Sequence, residues 1–248
     1  MKPQKSSKTP EFKFISKTIF FPKQGILAIG DLHLGYEQML KSQGIFLPFN
    51  QLEETKKEIE IILKRVKALY KLNKIILLGD IKHYFSFDKD EIFEVRDFLR
   101  FLEKFLEKEN IILIKGNHDT FTLKNYELKD FYIQENLAFT HGDKWFKELN
   151  DKKIKIVIIG HLHPSVKLKD KKGIKSEKYK AFLIGNFKKK KLIIVPSFLP
   201  LTEGSEVENL GIRKESDQII SIKQLMQFEA FLVEKNKVYD FGKVKYIN

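Results

Sequence analysis

Residues 74–83 read KIILLGDIKH, an aliphatic run that stops at Gly79 and is followed at once by Asp80 and His83. A short Ile- and Leu-rich run ended by glycine has the look of a buried strand in an α/β sheet. The same texture recurs on both sides. Residues 25–29 lead into GDLH (30–33), 111–114 into KGNHD (115–119), 137–140 into HGD (141–143) and 154–159 into GHLH (160–163). Two helical patterns separate the first three runs. Residues 51–72 place Ile59, Ile62, Leu63, Val66 and Leu69 on one face with Lys and Glu opposite. Residues 90–108 do the same with Ile92, Val95, Phe98, Leu99, Leu102 and Leu106. Strand–helix–strand alternation predicts parallel strands joined by right-handed crossovers.

Outside this region, residues 12–21 (FKFISKTIFF) read as a strand pair or one long edge strand, and residues 1–10 as a flexible basic tail. After His163 the texture changes. Residues 164–178 are charged and loop-like, and strand-like runs follow at 181–185, 191–195, 228–234 and 237–241. The C-terminal third therefore predicts a second sheet packed on the first. With no internal repeat and no linker in view, residues 11–248 are expected to form one domain.

The chain has 248 residues and no Cys, which excludes disulfides, zinc fingers, iron–sulfur clusters and thiol nucleophiles. Its formal charge is 46 − 33 = +13. A basic surface attracts polyanions such as nucleic acid, while a Lys- and Ile-rich composition also arises from genome bias or adaptation to heat; charge alone does not choose the substrate. The N-terminal residues lack a signal-peptide apolar run, and no stretch approaches the length of about 18 apolar residues that spans a bilayer. A soluble, cytoplasmic protein without membrane contact is expected.

Chemistry gathers at the strand ends. Asp31 and His33, Asp80 and His83, Asn117 and His118, His141, and His161 and His163 each follow one of the five apolar runs, and they include all six histidines of the chain. Ligand sites in open α/β sheets form outside the carboxyl ends of the strands. Carboxylates with neutral imidazoles and no thiolate suit Mn, Fe, Zn, Co or Ni. Two such ions about 3.5–4 Å apart clamp the attacking and leaving oxygens of an in-line displacement. DxH and HxH would turn alternate residues to the same side of an extended segment, so both side chains of each pair could reach one dinuclear centre.

GDLH, GDIKH, GNHD, HGD and GHLH, in this order, resemble the five motifs of the calcineurin-like metallophosphoesterases. DLHLGYE, GIFLP (44–48) and IVPSFLPLTEGSEV (194–207) extend the resemblance to archaeal phosphoesterases related to SbcD-type repair nucleases, which are similar to a bacterial group associated with DNA ligases. The resemblance implies an α/β sandwich of two sheets flanked by helices. It also implies two divalent transition-metal ions, with Mn²⁺ expected and Fe, Zn, Co or Ni alternatives. Asp31, His33 and His163 would hold one ion, Asn117, His141 and His161 the other, and Asp80 would bridge them. His118 would stabilise the phosphoryl group or protonate the leaving oxygen, and metal-activated water would hydrolyse a phosphate ester without a covalent intermediate. DNA-repair proteins are the partners it implies.

One position departs from part of that family. Protein phosphatases carry Asp three residues after the bridging Asp, followed by Arg; here His83 and Tyr84 stand there, as His often does in the repair-nuclease branch. The pair His83–His118 lacks a carboxylate to hold an imidazolium, and the site lacks the Arg fork suited to a phosphate dianion. A phosphodiester of nucleic acid or of a small nucleotide is therefore the expected substrate. A phosphomonoester, or a non-catalytic protein-binding scaffold, is the alternative; against the scaffold, all seven metal positions hold competent residues. His83 reads either as catalytic or as a surface residue after the motif, and Lys82 as a phosphate contact or, slightly preferred, a solvated lysine. Asp119 is expected to fix its loop, Tyr36 and Glu37 to face substrate, and Trp145 to lie in the core. Lys188–Lys191 reads as a solvated hairpin turn and the Lys-rich residues 170–180 as a substrate-contacting loop.

Overall fold

The computed structural model describes residues 10–84, 89–170, 175–207 and 219–247. The tail expected over residues 1–10 lies outside them apart from Pro10. The first sheet begins with β1 (Lys13–Ile15), β2 (Thr18–Phe21) and β3 (Ile26–Ile29), which are antiparallel. It continues with β4 (Lys74–Leu77), β5 (Ile111–Ile114) and β6 (Leu128–Lys129), each parallel to its predecessor, in the spatial order β1-β2-β3-β4-β5-β6. Residues 12–21 are thus a strand pair, turning at Ser16.

The crossovers are helical. After the short α1 (Tyr36–Ser42), α2 (Gln51–Leu69) starts where the Asn50 side chain accepts the Glu53 N–H at 3.0 Å, which satisfies one of the free donors of the first turn. Leu52, Ile59, Ile62, Leu63 and Val66 are buried, and each such side chain contributes about 1.5–3 kcal/mol. The apolar face ends sooner than expected, because Leu69 is 66 % exposed and Tyr70 leaves in an extended conformation. Helix α3 (Lys89–Glu103) is also shorter than the residues 90–108 expected, since residues 108–110 tighten into a 3₁₀ turn that feeds β5.

The second sheet contains β7 (Phe131–Gln134), β8 (Leu137–Thr140), β9 (Ile156–Ile159), β10 (Pro164–Lys169), β11 (Ser176–Phe187), β12 (Lys190–Ile194) and β13 (Ser205–Glu206). Their order is β13-β10-β11-β12-β9-β8-β7, with β14 (Glu229–Glu234) added to β11 and β15 (Lys237–Lys243) to β14. Residues 164–178 are therefore not the loop that their charge predicts. Ser165 to Lys169 pair with Lys180 back to Ser176; Val166 and Leu168 turn toward the core while the intervening lysines face out, so the period-two pattern is masked by charge on one face. Residues 171–174 of the expected Lys-rich loop lie outside the described residues.

Three apolar layers result. Ile26, Ala28, Ile76 and Ile112 meet Phe139, Ile156, Ile158, Phe182 and Ile193 between the sheets. Helices α2 and α3 cover the outer face of the first sheet through Leu27, Ile29, Ile75, Leu77 and Leu113. Among the described residues, the outer face of the second sheet is covered by a 3₁₀ turn carrying Leu149 and by α4 (Ile222–Leu225) carrying Leu225. Strands β3, β4, β5, β8 and β9 all point their carboxyl ends toward one rim.

Candidate metal centre

The loops at that rim are laced to one another by their main chains. The Asp80 carbonyl accepts the N–H groups of Leu32 (3.1 Å) and His33 (2.9 Å), and the Ile81 carbonyl accepts that of Leu34 (2.8 Å). These bonds hold an unusual backbone: His33 (φ 46°), Asp80 (47°), His161 (63°) and His163 (45°) are all left-handed, at a cost of about 1–2 kcal/mol each for a residue with a Cβ. Strain of this kind persists where surrounding structure over-determines it, and it clusters at functional sites. The extended DxH and HxH segments expected from spacing are therefore not extended. Because the chain turns at both 161 and 163, the two histidines part: His161 goes toward His141 and Asp80, His163 toward Asp31 and His33. A Cβ at Gly160 would lie 2.5 Å from Asp31 Oδ2; glycine there lets the His161 N–H approach both oxygens of that carboxylate, at 3.1 and 3.2 Å.

Two groups of donor atoms converge, with Asp80 in both. Asp31, His33, Asp80 and His163 each place one ligand atom within 4.8 Å of the others, and so do Asp80, His141 and His161. Asp80 Oδ2 is 3.8 Å from His33 Nε2 and its Oδ1 is 3.5 Å from His141 Nε2. His163 Nε2 lies 3.3 Å from Asp31 Oδ1. The Asn117 side-chain oxygen is 3.0 Å from His141 Nε2. His141 donates its Nδ1–H to the Leu78 carbonyl at 2.8 Å, which fixes the tautomer and turns the Nε2 lone pair inward.

The electrostatics follow from crowding buried charge. Burial works to raise the Asp31 carboxyl, but His163, His141 and His33 outweigh it and hold the group below the usual carboxylate range. Burial pushes Asp80 up to about 7 against the pull of His141, with Asp31 and Asp119 adding repulsion. Burial and then His163 keep His33 well below the ordinary histidine value. His141 goes the other way, since Asp80 and Asp31 overcome its burial.

His118 and His83 flank these groups. His33, His83 and His118 form a third convergent set, with the His83 and His118 rings stacked at 5.8 Å. His118 donates its Nδ1–H to the main-chain carbonyl of His83, leaving Nε2 directed at Asp80 Oδ2, 3.8 Å away. Burial, then His118 and Lys82, bring His83 down to about 4, and burial also lowers His118. Asp119 is buried and accepts the N–H groups of Ile81, Lys82 and Gly116 (3.0, 3.3 and 2.9 Å), so it ties the Asn117 loop to the Asp80 loop.

Several side chains sit elsewhere than the sequence indicates. Lys82 is not solvated: it is fully buried with Nζ 3.9 Å from Glu91 Oε2, because its backbone bridges to Leu34 and draws it under the rim. Glu37 faces the fold rather than a substrate, accepting the Gln51 N–H at 2.6 Å and pairing with Lys41 at 2.7 Å. Tyr36 does reach the site, its ring edge-on to His83 at 4.8 Å. Trp145 packs against Phe187 at the second core. Sequence reasoning overlooks Glu91, a fully buried carboxylate that accepts the N–H groups of Tyr84 (2.9 Å) and His83 (3.3 Å). A signal was there: Val95 and Phe98, four and seven residues on, put Glu91 on the buried face of α3.

The sequence matches the calcineurin-like phosphoesterases over residues 25–221. The chain belongs to that family. A calcineurin-like phosphoesterase is a metal-dependent phosphoester hydrolase, and the fold agrees with this placement. Pseudomonas putida nuclease MPE is similar in structure at a TM-score of 0.58 and 20 % identity, covering 91 % of this chain and 92 % of that one. A conserved predicted phosphoesterase from Streptococcus pneumoniae is similar at 0.35 and 12 %, covering 88 % and 97 %. Zinc-complexed Vps29 from Entamoeba histolytica is similar at 0.34 and 12 %, covering 73 % and 86 %. No curated protein matches the sequence.

The donor set of this calcineurin-like phosphoesterase fits divalent cations. Ring nitrogens of His33 and His163 face each other at 3.3 Å, and those of His161 and His141 at 3.0 Å; such pairs are reconciled when lone pairs converge on a cation. Two carboxylates and a carboxamide oxygen complete an N/O set without sulfur, which several first-row metals accept. No described helix is long and apolar enough to cross a membrane.

Proposed function

We propose that this calcineurin-like phosphoesterase is a two-cation phosphodiesterase acting on nucleic acid or a small nucleotide diester, from the archaeal branch related to SbcD-type nucleases. The observation that carries it is the placement of Asp80, whose two carboxylate oxygens face two separate groups of histidines at 3.8 and 3.5 Å. In this reading Asp31, His33 and His163 hold one cation, Asn117, His141 and His161 the other, and Asp80 both; Mn²⁺ is the ion expected, with Fe, Zn, Co or Ni as alternatives. When bound, the pair supplies Lewis acidity that polarises the phosphoryl group and acidifies water. His118, anchored at Nδ1, presents Nε2 to the leaving oxygen and, in its imidazolium form, would donate the Nε2 proton to it. His83 and Tyr36 line the approach and contact substrate.

The preference for a diester rests on what surrounds the cluster. The described arginines, Arg65, Arg96 and Arg100, are exposed on α2 and α3. Among the described residues no guanidinium fork is therefore offered to a terminal phosphate dianion, while a diester carries one charge less. The formal charge of +13 favours a polyanionic substrate, and the nuclease of similar fold accords with it. Residues 11–248 would work as one domain in the cytoplasm, with DNA-repair proteins as partners.

The test is hydrolysis of a chromogenic phosphodiester and its monoester analogue side by side, with Mn²⁺ and with chelator, followed by DNA and RNA oligonucleotides. Chelator-sensitive turnover of the diester in preference to the monoester is expected. Faster turnover of the monoester, with the diester and oligonucleotides untouched, would overturn the proposal.

A further inference from the structure

The segment VPSFLPLTEGSEV, residues 195–207, supplies none of the converging side chains, yet it grips the main chain of two of them. Ser197 Oγ–H (3.0 Å) and the N–H groups of Phe198 (2.9 Å) and Leu199 (3.3 Å) all donate to the carbonyl of Asp31. Further along, the Ser205 N–H donates to the carbonyl of His163 at 2.8 Å. Gly204, at φ +93°, allows that approach: a Cβ there would lie 2.3 Å from the same oxygen. Asp31 and His163 are the pair whose side chains meet at 3.3 Å in one of the two donor groups. The other group takes most of its support elsewhere, although the Val195 N–H donates to the Ile159 carbonyl at 2.8 Å, two residues before His161. The His141 carbonyl accepts the Gly160 N–H at 2.9 Å, and its ring is fixed on Leu78.

The segment is itself pinned from both sheets. Lys180, on β11, donates from Nζ to the carbonyls of Ser197 (2.7 Å) and Leu199. Lys17, in the β1–β2 turn, donates to the carbonyl of Phe198 (3.2 Å) while pairing with Glu58 (2.7 Å) and lying over the Phe198 ring. Three consecutive carbonyls are thus satisfied by two lysine side chains, in a stretch where Ser197 and Leu199 are almost wholly buried. Loss of either lysine leaves buried acceptors without a donor, and the segment must shift to find water.

We propose that residues 195–207 form a strap that sets Asp31 and His163 for one of the two cations, and that Lys180 is a positioning residue acting through this strap. The inference rests on the two-cation reading above. Groups that orient metal ligands from behind typically govern metal affinity by 10–100-fold, and here that control falls mainly on one half of the centre.

Calorimetric titration of the metal-free full-length chain with Mn²⁺ tests it. The unaltered chain should show two binding steps, and Asp31→Asn identifies the step that belongs to Asp31. Lys180→Met and Gly204→Ala should each weaken that step by about 10–100-fold and leave the other within about twofold, and Lys180→Arg, which keeps two donors, should recover most of the loss. A general loosening of the fold would instead weaken both steps together, and that result, or no change in either, overturns the strap. Should Lys180→Met fail to fold, Ser197→Ala removes a single donor to the Asp31 carbonyl and carries the same comparison. A single step or none in the unaltered chain sinks the two-cation reading itself, and the strap with it.

Discussion

The Nδ1–H of His118 donates to the main-chain carbonyl of His83. The acceptor that orients this imidazole is a peptide group, so the side chain at position 83 takes no part in the bond. That peptide is anchored on its far side, where its own N–H, that of Tyr84, donates to Glu91 Oε1 at 2.9 Å, and the preceding N–H, that of His83, meets the Leu34 carbonyl at 2.9 Å. The concern raised by His at position 83 in place of a carboxylate therefore finds a structural answer: a fixed carbonyl does the orienting.

Substitution should separate the two histidines. His118→Ala is expected to lower kcat on a chromogenic diester by about 10²–10⁴, the range for losing a general acid or base. His83→Ala leaves the orienting carbonyl in place, so kcat should fall less than about tenfold while KM rises. Steady-state kinetics under saturating Mn²⁺ decide it, and equal kcat losses would place the His83 side chain in the proton step.

Asp80 touches both donor groups, and its replacement should disturb both. Asp80→Asn keeps shape and removes charge from the one carboxylate common to them. Turnover should drop by more than about 100-fold, beyond what outer partners of metal ligands cost. Metal content after Mn²⁺ loading and desalting should fall from two ions to one or none. A variant that still retains two ions and works would remove Asp80 from its proposed place between them.

Legibility from sequence followed the physics of each feature. Strands β3, β4, β5, β8 and β9 were readable because both faces are buried, which leaves continuous aliphatic runs, and the polar residues after them declare the rim. The backbone at His33, Asp80, His161 and His163 was not readable, because left-handed non-glycine residues are imposed by tertiary bonds and spacing alone suggests extension. Lys82, Lys180 and Lys190 show a related limit. A lysine in a Lys-rich chain reads as solvated, and only the structure reveals which amino groups are buried against carbonyls, as in Lys180 and Lys190, or against a carboxylate, as in Lys82. The hairpin of β10 and β11 was hidden for the opposite reason, its apolar face being narrow and its other face charged.

Removal of metal should lower stability. The buried Asp31 and Asp80 and four left-handed residues are the features a bound cation would compensate. Ligand at 100 times its Kd stabilises the native state by about 2.7 kcal/mol, and a chain of this size shifts Tm by about 2–4 °C per kcal/mol. With two sites filled at that excess, calorimetry in Mn²⁺ against chelator should therefore show a Tm difference of roughly 11–22 °C. Identical melting in both conditions would argue that the rim does not bind Mn²⁺ in the folded chain.

The run Lys188–Lys191 gives the sharpest contrast between charge and role. Lys188 and Lys189 form the β11–β12 turn with φ of 47° and 64°, exposed as their charge predicts. Lys190 is only 7 % exposed, and its Nζ donates to the carbonyls of Asp151 (2.6 Å) and Ile154 (2.9 Å). Lys190→Met would keep the apolar stem and orphan the buried Ile154 carbonyl, at about 1–3 kcal/mol, while the Asp151 carbonyl keeps the Ile154 N–H at 3.1 Å. Lys189→Met should stay within about 0.5 kcal/mol, as exposed substitutions do. Thermal denaturation of the two variants in chelator, where metal cannot mask the difference, should put Lys190→Met lower by at least about 2–4 °C. Diester turnover with Mn²⁺ should be unchanged in both, because Lys190 begins β12 and the converging side chains follow the opposite ends of its parallel neighbour β9 and of β8 beyond it. Coincident melting curves would show that water replaces the amino group without cost and that Lys190 is, after all, one more solvated lysine.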